Sequence, residues 1–122
     1  MRVKGVLKIP EDVKTFPSIE NIILNVVGLP VLIEHNPHKE IGHVIKATRS
    51  SYTNNRVIIV MKINKLINFM NYSEIGISYD ILMSRLSLSR GMTIERINIK
   101  ELSVMKQNCY PGNYILGIEM DH

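Results

Sequence analysis

The residues of this sequence that are best suited to chemistry are histidines, three of which lie close together. His35, His38 and His43 fall within nine positions of one another. Imidazole serves as a metal ligand or as a general base, and Glu34 or Glu40 could complete a zinc site of three or four ligands. The donors follow no known ligand spacing, so we expect no metal and no cofactor. His38 is then interpreted as a loop residue and His43 as a sheet-surface residue.

Nucleophilic catalysis is the second chemistry that these residues allow. It needs a hydroxyl or thiol, a base within hydrogen-bond reach and a third group that orients the base. His35 could be that base, but distance along the chain does not tell which serine and which carboxylate meet it in space. Cys109 is the one cysteine, which excludes an internal disulfide and any zinc site that needs two thiolates.

Length and composition limit the kind of fold that can position these side chains. The 122 residues suit a single domain, residues 1–122, and 45% hydrophobic with 21% charged residues is typical of a folded chain. The net charge of +4 suits an acidic partner without indicating a polybasic arm. Apolar runs such as Val57–Met61 are too short to span a membrane, and the amino terminus has no signal-peptide core. We therefore expect a soluble, intracellular protein.

Hydrophobic patterning predicts more strand than helix. The predicted strands are Met1–Ile9, Leu29–Glu34, Ile41–Thr48 and Arg56–Ile63 (buried on both faces). Further β segments, not all of them separate strands, are predicted over Leu86–Leu88, Thr93–Lys100, Leu102–Met105 and Tyr114–Glu119. A helix is predicted over Pro17–Gly28, capped by Ser18, and a short one over Asn64–Asn71. Asn36–Glu40 is predicted as a loop, and Tyr72–Met83 has no clear pattern.

These elements predict an α+β fold. We expect a small, mainly antiparallel β-barrel of about six or seven strands, flanked by two or three helices.

The segment Gly28–Val44, GLPVLIEHNPHKEIGHV, resembles the histidine motif of two groups of viral maturation proteases. In the herpesvirus assembly proteases, the assemblins, Leu-Pro and an apolar run lead to the catalytic histidine and then Val-Gly-x-Val. The prohead proteases of tailed phages have His-Asn or His-Asp followed by Ile-Gly-x-Val. The matching residues are Leu29, Pro30, Ile33, Glu34, His35, Ile41, Gly42 and Val44. The resemblance implies that His35 is the general base.

Two later motifs extend the resemblance. RLSLSR, Arg85–Arg90, looks like the Leu-Ser-Leu-Ser element of the assemblins and the Leu-Ser-Ile-Gly element of the phage enzymes, which implies that Ser87 is the nucleophile. IKELSVM, Ile99–Met105, resembles the phage Glu-Val-Ser-Leu-Val pattern and implies that Glu101 is the third triad member. Assemblins have a second histidine at that point, so the resemblance favours the phage arrangement of serine, histidine and glutamate.

The chain departs from these families around the oxyanion hole. Ser89–Arg90–Gly91 stands where phage enzymes have Gly-Phe, Pro111 comes later than their Pro-Ala-Asn, and the assemblin Gly-Arg-Arg segment has no counterpart. The oxyanion donors are therefore open, with backbone amides after Met105 or near Ser89 and Arg90 as candidates by position.

The resemblance implies a serine endopeptidase that cleaves scaffold and capsid precursor proteins, and itself, during viral prohead maturation. Its place would be the prohead interior or the host cell cytoplasm. Assemblins dimerise through a helix, for which Ser18–Val27 or Asn64–Asn71 could serve.

The alternative comes from another class of protein, a non-catalytic small basic β-barrel that binds nucleic acid or acts as a structural capsid-assembly protein. Aromatic residues make up 6% of the chain and tryptophan is absent. Because binders of single strands stack bases on aromatic side chains, this alternative ranks second.

Overall fold

The structure is a computed structural model that describes residues 1–8, 19–50, 56–65, 67–69, 71–87, 91–106 and 113–119. Within these ranges it describes only the backbone of 19–21, 81–87 and 91–97. The elements, in chain order, are β1 (Arg2–Lys8), α1 (Ile19–Val26), β2 (Pro30–Ile33), β3 (Asn36–Arg49), β4 (Arg56–Ile63), β5 (Glu74–Ser87), β6 (Gly91–Met105) and β7 (Tyr114–Glu119).

The strands form a closed barrel in the order β1-β4-β3-β2-β6-β5-β7. Neighbouring strands are antiparallel except β2 and β6, which run parallel with Val31 opposite Leu102. The barrel closes where Glu74 of β5 pairs with Tyr114 of β7. The predicted small, mainly antiparallel barrel is therefore confirmed, and the strand number falls at the upper end of the expected range.

The core of the barrel is largely aliphatic, and in β4 it comes from alternate residues. In β4, Val57, Ile59, Met61 and Ile63 are buried, whereas the residues between them are half-buried or, at Lys62, exposed. The prediction that this strand is buried on both faces was wrong. A barrel strand turns one face to the core and the other outward, so its side chains alternate.

The helix α1 confirms the first helix prediction within the described residues, and it ends at Val26 rather than at Gly28. Ile22 and Val26 are buried in the core, and Leu24 is 77% exposed. Gly28, just beyond the helix, has a φ of 91°. A left-handed residue there is the usual end of a helix, because it directs the chain away without the steric cost that a Cβ would add. The predicted cap, Ser18, lies outside the described residues.

The second predicted helix was wrong: the described part of residues 64–71 contains none. Backbone bonds from Asn71 N to Asn68 O (3.1 Å) and from Tyr72 N to Phe69 O (3.2 Å) make turns instead. Asparagine side chains compete for backbone hydrogen bonds and favour turns over helix interiors. The two or three flanking helices expected from the sequence are thus reduced, in the described ranges, to the eight residues of α1.

Two segments that lacked a strand signal belong to long strands. Asn36–Glu40, predicted as a loop, is the start of β3, and most of Tyr72–Met83 lies in β5. Thr93–Lys100 and Leu102–Met105 are parts of the single strand β6. In the portion of the chain that is described, no helix is long and apolar enough to cross a membrane.

Candidate active site

His35 lies in a tight turn between β2 and β3. Ile33 pairs with Asn36, which leaves Glu34 and His35 as a two-residue loop with φ values of 47° and 58°. Two positive φ values are typical of a type I′ turn, which usually contains glycine or asparagine. For other residues this conformation costs on the order of 1–3 kcal/mol each and persists only where the surroundings impose it.

The neighbouring strand β6 holds this turn in place. The Glu34 amide donates to the Val104 carbonyl (3.1 Å), and the His35 amide donates to the Ser103 hydroxyl oxygen (2.9 Å). Because β2 and β6 run parallel, the chain leaves β2 beside the carboxyl-terminal end of β6, where Ile33 pairs with Val104. The turn therefore places the His35 side chain over β6.

The His35 ring contacts a carboxylate of β6. Nδ1 lies 2.6 Å from Oε1 of Glu101, although the two residues are 66 positions apart in the chain. An ionised carboxylate only accepts hydrogen bonds, so Nδ1 carries the proton and Nε2 is the nitrogen left to accept or give one. The Glu101 side chain is 12% exposed and that of His35 is 38% exposed. The carboxylate is thus largely shielded, while the imidazole is reachable from solvent.

Ser103 completes the support of this pair. Its side chain is fully buried, and its hydroxyl donates to Oε2 of Glu101 (2.9 Å) while accepting the His35 amide proton. Sequence reasoning gave Ser103 no role. The available signal was its position two residues after Glu101 in a strand, which puts both side chains on one face.

Gly76 of β5 lies against the far side of the imidazole. A Cβ built on Gly76 would lie 2.8 Å from Nε2 of His35 and 3.1 Å from Cγ of Met105. The ring therefore reaches from its own turn, across β6, to the backbone of β5. Sequence reasoning missed this residue too, although a glycine inside a strand often marks a close approach by another group.

Ser87 occupies a different part of β5. Ser87 is the last residue of the strand, and its backbone lies opposite Gly91. The residue of β5 that lies opposite Glu101 is Ser78. The nine residue-to-residue steps from Ser78 to Ser87 amount to about 30 Å of extended strand. The Ser87 side chain lies outside the described residues, so its role as nucleophile stays a prediction. Ser89, Arg90 and residues 107–112, the candidate oxyanion donors, lie outside them as well.

His38 and His43 line a separate cleft. This cleft has a volume of about 460 Å³ and is lined by Pro37, His38, Glu40, Ile41, Gly42, His43, Asn64 and Lys65. His38 is exposed on β3 rather than in a loop, and His43 is half-buried on the same strand. Among the described side chains, no group of three or more His, Cys, Asp or Glu residues is arranged to hold a metal ion.

Fold and site together define a class: a small closed β-barrel that carries a solvent-accessible histidine, oriented by a shielded glutamate, at a strained turn. Comparisons of the chain with protein-family models, with curated proteins and with solved structures find no match. The functional argument therefore rests on the geometry of this site and on the motifs of the sequence.

Proposed function

We propose that this protein is a serine endopeptidase in which His35 is the general base and Glu101 orients it. The observation that carries the proposal is the 2.6 Å contact between His35 Nδ1 and Glu101 Oε1. This contact fixes the tautomer in which Nε2 can take a proton, which is the role of the carboxylate in a catalytic triad. The strained turn supports the proposal, since strained residues cluster at functional sites.

In the proposed mechanism, Nε2 of His35 removes the proton of a serine hydroxyl as the hydroxyl oxygen attacks a peptide carbonyl. The imidazolium that forms is stabilised by Glu101, and it then protonates the leaving amine. The sequence motif names Ser87 as the attacking serine.

The resemblance to prohead proteases and assemblins suggests the substrates: scaffold protein, capsid precursor and the protease itself, cleaved inside a prohead or in the host cytoplasm. The resemblance to assemblins, which dimerise through a helix, also leads us to propose that this protein forms a dimer. Because the described part of 64–71 is not helical, α1 is the helix that could serve, and Leu24, 77% exposed, lies on its free side.

The function is tested by expressing the chain together with scaffold and capsid precursor proteins from the same genome and measuring product masses. The wild type should give discrete fragments, and His35→Ala should give none. His38→Ala is the matched control, because this exposed histidine lies three positions away and outside the pair. Equal cleavage by wild type and His35→Ala would refute the proposal.

A second candidate function, binding of an anionic partner such as nucleic acid without catalysis, is favoured by the outer face of β1, β4 and β3. This face carries four exposed basic side chains: Arg2, Lys4, Lys46 and Lys62. Arg2 is directly opposite Lys62, which is opposite His43. Like charges in this arrangement repel, although Glu119 lies 3.7 Å from Lys4.

Binding of single-stranded DNA at increasing salt concentration tests this second candidate. The non-catalytic function would be favoured if the affinity for DNA falls steeply with salt, if Lys62→Gln weakens binding, and if co-expressed precursor proteins stay uncleaved. Lys100→Gln on β6 is the control, since Lys100 pairs with Asp80 away from the basic face. Absence of salt-sensitive binding would eliminate the candidate.

A further inference from the structure

We propose that Ser78 of β5, rather than Ser87, is the serine whose hydroxyl His35 deprotonates. The inference rests on the proposed function and deepens it by assigning the nucleophile. It starts from the β5 and β6 register, in which Ser78 lies directly opposite Glu101 and Gly76 directly opposite Ser103. Both partners on β6 belong to the His35 site.

The register also decides which face of the sheet these residues occupy. Directly opposite residues of an antiparallel pair project to the same side, as do residues two apart on one strand. Ile75, Leu102 and Val104 are fully buried in the core. Gly76, Ser78, Glu101 and Ser103 therefore share the other face, which is the face that the His35 ring covers.

The imidazole points its catalytic nitrogen toward this part of β5. Nδ1 is held by Glu101 on β6, and Nε2 lies 2.8 Å from the position of a Cβ on Gly76. Ser78 is one pleat repeat further along β5, about 7 Å away, and beside Glu101. Its hydroxyl is thus the nearest one that β5 can offer to Nε2 on this face, at a half-buried position open to a substrate.

Two other serines, Ser103 beside the imidazole and Ser87 of the sequence motif, are less suited to the role. The hydroxyl of Ser103 is fully buried, lies 3.3 Å from Nδ1 rather than Nε2, and already donates to Glu101. The backbone of Ser87 is separated from that of Ser78 by about 30 Å of extended strand. Ser78 lies on the face of the sheet that the imidazole covers, is directly opposite Glu101 and is partly exposed.

The proposed reaction balances without a cofactor. Oγ of Ser78 bonds to the carbonyl carbon, its proton passes to Nε2 of His35, and the carbonyl electron pair moves to oxygen. Collapse of this intermediate breaks the C–N bond, and Nε2 gives the proton to the leaving amine. Water then attacks the Ser78 ester and passes a proton to Nε2. Breakage of the ester bond returns that proton to Oγ.

The test is labelling of the wild-type protein with a fluorophosphonate, which bonds to an activated serine oxygen with loss of fluoride, followed by peptide mapping by mass spectrometry. We expect one adduct, on Ser78, which disappears in His35→Ala. Precursor cleavage should be lost in Ser78→Ala and retained in Ser87→Ala. Ser73→Ala is the control, because Ser73 is exposed just before β5. Circular dichroism checks that each variant is folded.

The outcomes separate this inference from the proposed function. An adduct on Ser87 that depends on His35 would overturn the assignment of Ser78 and leave the serine endopeptidase standing. An adduct on no serine, with His35→Ala cleaving precursors as the wild type does, would overturn both. Mapping on the wild-type chain keeps the test decisive even if Ser78→Ala fails to fold.

Discussion

At the scale of single residues, the geometry of the His35–Glu101 pair depends on two further residues, Ser103 and Gly76. The buried hydroxyl of Ser103 links the strained turn to the carboxylate, since it accepts from the His35 amide and donates to Glu101. Gly76 leaves the space that the imidazole occupies. These two residues are therefore the places where a small change should impair catalysis while the barrel persists.

Replacing Ser103 by alanine should lower both stability and cleavage rate. The change leaves the His35 amide and Oε2 of Glu101 without this partner, and a lost hydrogen bond to a charged group is worth about 1.5–3 kcal/mol. We expect the free energy of unfolding in urea to fall by this amount and kcat to fall on the order of 10- to 100-fold. Ser73→Ala, at an exposed position, should change neither; a Ser103→Ala enzyme with wild-type kcat would contradict the positioning role.

Replacing Gly76 by alanine should displace the His35 ring. The added Cβ would lie 2.8 Å from Nε2, and the end of the histidine side chain is what can move. A displacement of about 1 Å can cost 10²-fold in rate, so kcat should fall by about that factor. Gly117→Ala is the matched control, since a Cβ there meets nothing within 4 Å. Loss of activity in both variants alike would count against the argument.

At the scale of elements, runs of β-branched and aliphatic residues were the signal that located strands. β4 and β7 have the bounds predicted for them, and β1 and α1 differ from their predictions at the ends. Residues 36–40 of β3 and residues 74–85 of β5 were missed, because Pro37, Lys39 and the mixed residues of 72–83 form no continuous apolar run. Their strand conformation comes from pairing with neighbours, which patterns within one segment do not reveal.

The residues of the histidine motif, Gly28–Val44, have two different structural roles: some form the turn and others pack the strands. His35 and Glu34 form the turn, whereas Gly42 and Val44 serve the packing of β3 against β4. A Cβ on Gly42 would overlap the backbone carbonyl of Lys62, and Val44 is fully buried. Part of the pattern that resembles the viral proteases is therefore explained by the barrel alone.

Gly42→Ala should destabilise the protein without acting on the site directly. The neighbouring atom is backbone, which yields less easily than a side chain, and overpacking of this kind typically costs about 1–3 kcal/mol. Urea unfolding of Gly42→Ala and Gly117→Ala compares a crowded with an open position. Equal stability of the two variants would show that β3 and β4 adjust freely.

The turn conformation predicts a difference between two substitutions of Glu34. Asparagine readily adopts positive φ, whereas a β-branched residue does so at a higher steric cost. Glu34→Asn should therefore preserve or raise the free energy of unfolding, and Glu34→Val should lower it by about 1–3 kcal/mol. Thermal unfolding of both variants measures this, and a more stable Glu34→Val would be inconsistent with the turn.

At the scale of the whole molecule, the site exists because two strands that are distant in the sequence, β2 and β6, pair in the barrel. The parallel pairing of β2 with β6 joins Val31 to Leu102, and this brings the turn beside Glu101. The sequence could indicate His35 and Glu101 by their motifs, but not the pairing between distant strands. The same limit explains why Ser103, Gly76 and Ser78 were not recognised: their roles depend on a register that only the folded sheet defines.

A double-mutant cycle on precursor cleavage tests the central claim, that His35 and Glu101 act as one catalytic unit. The rates of wild type, His35→Ala, Glu101→Gln and the double variant are measured, with His38→Ala as the control. If Glu101 acts through His35, the double variant should lose no more activity than His35→Ala alone. Additive losses, or an undiminished rate in His35→Ala, would contradict the account.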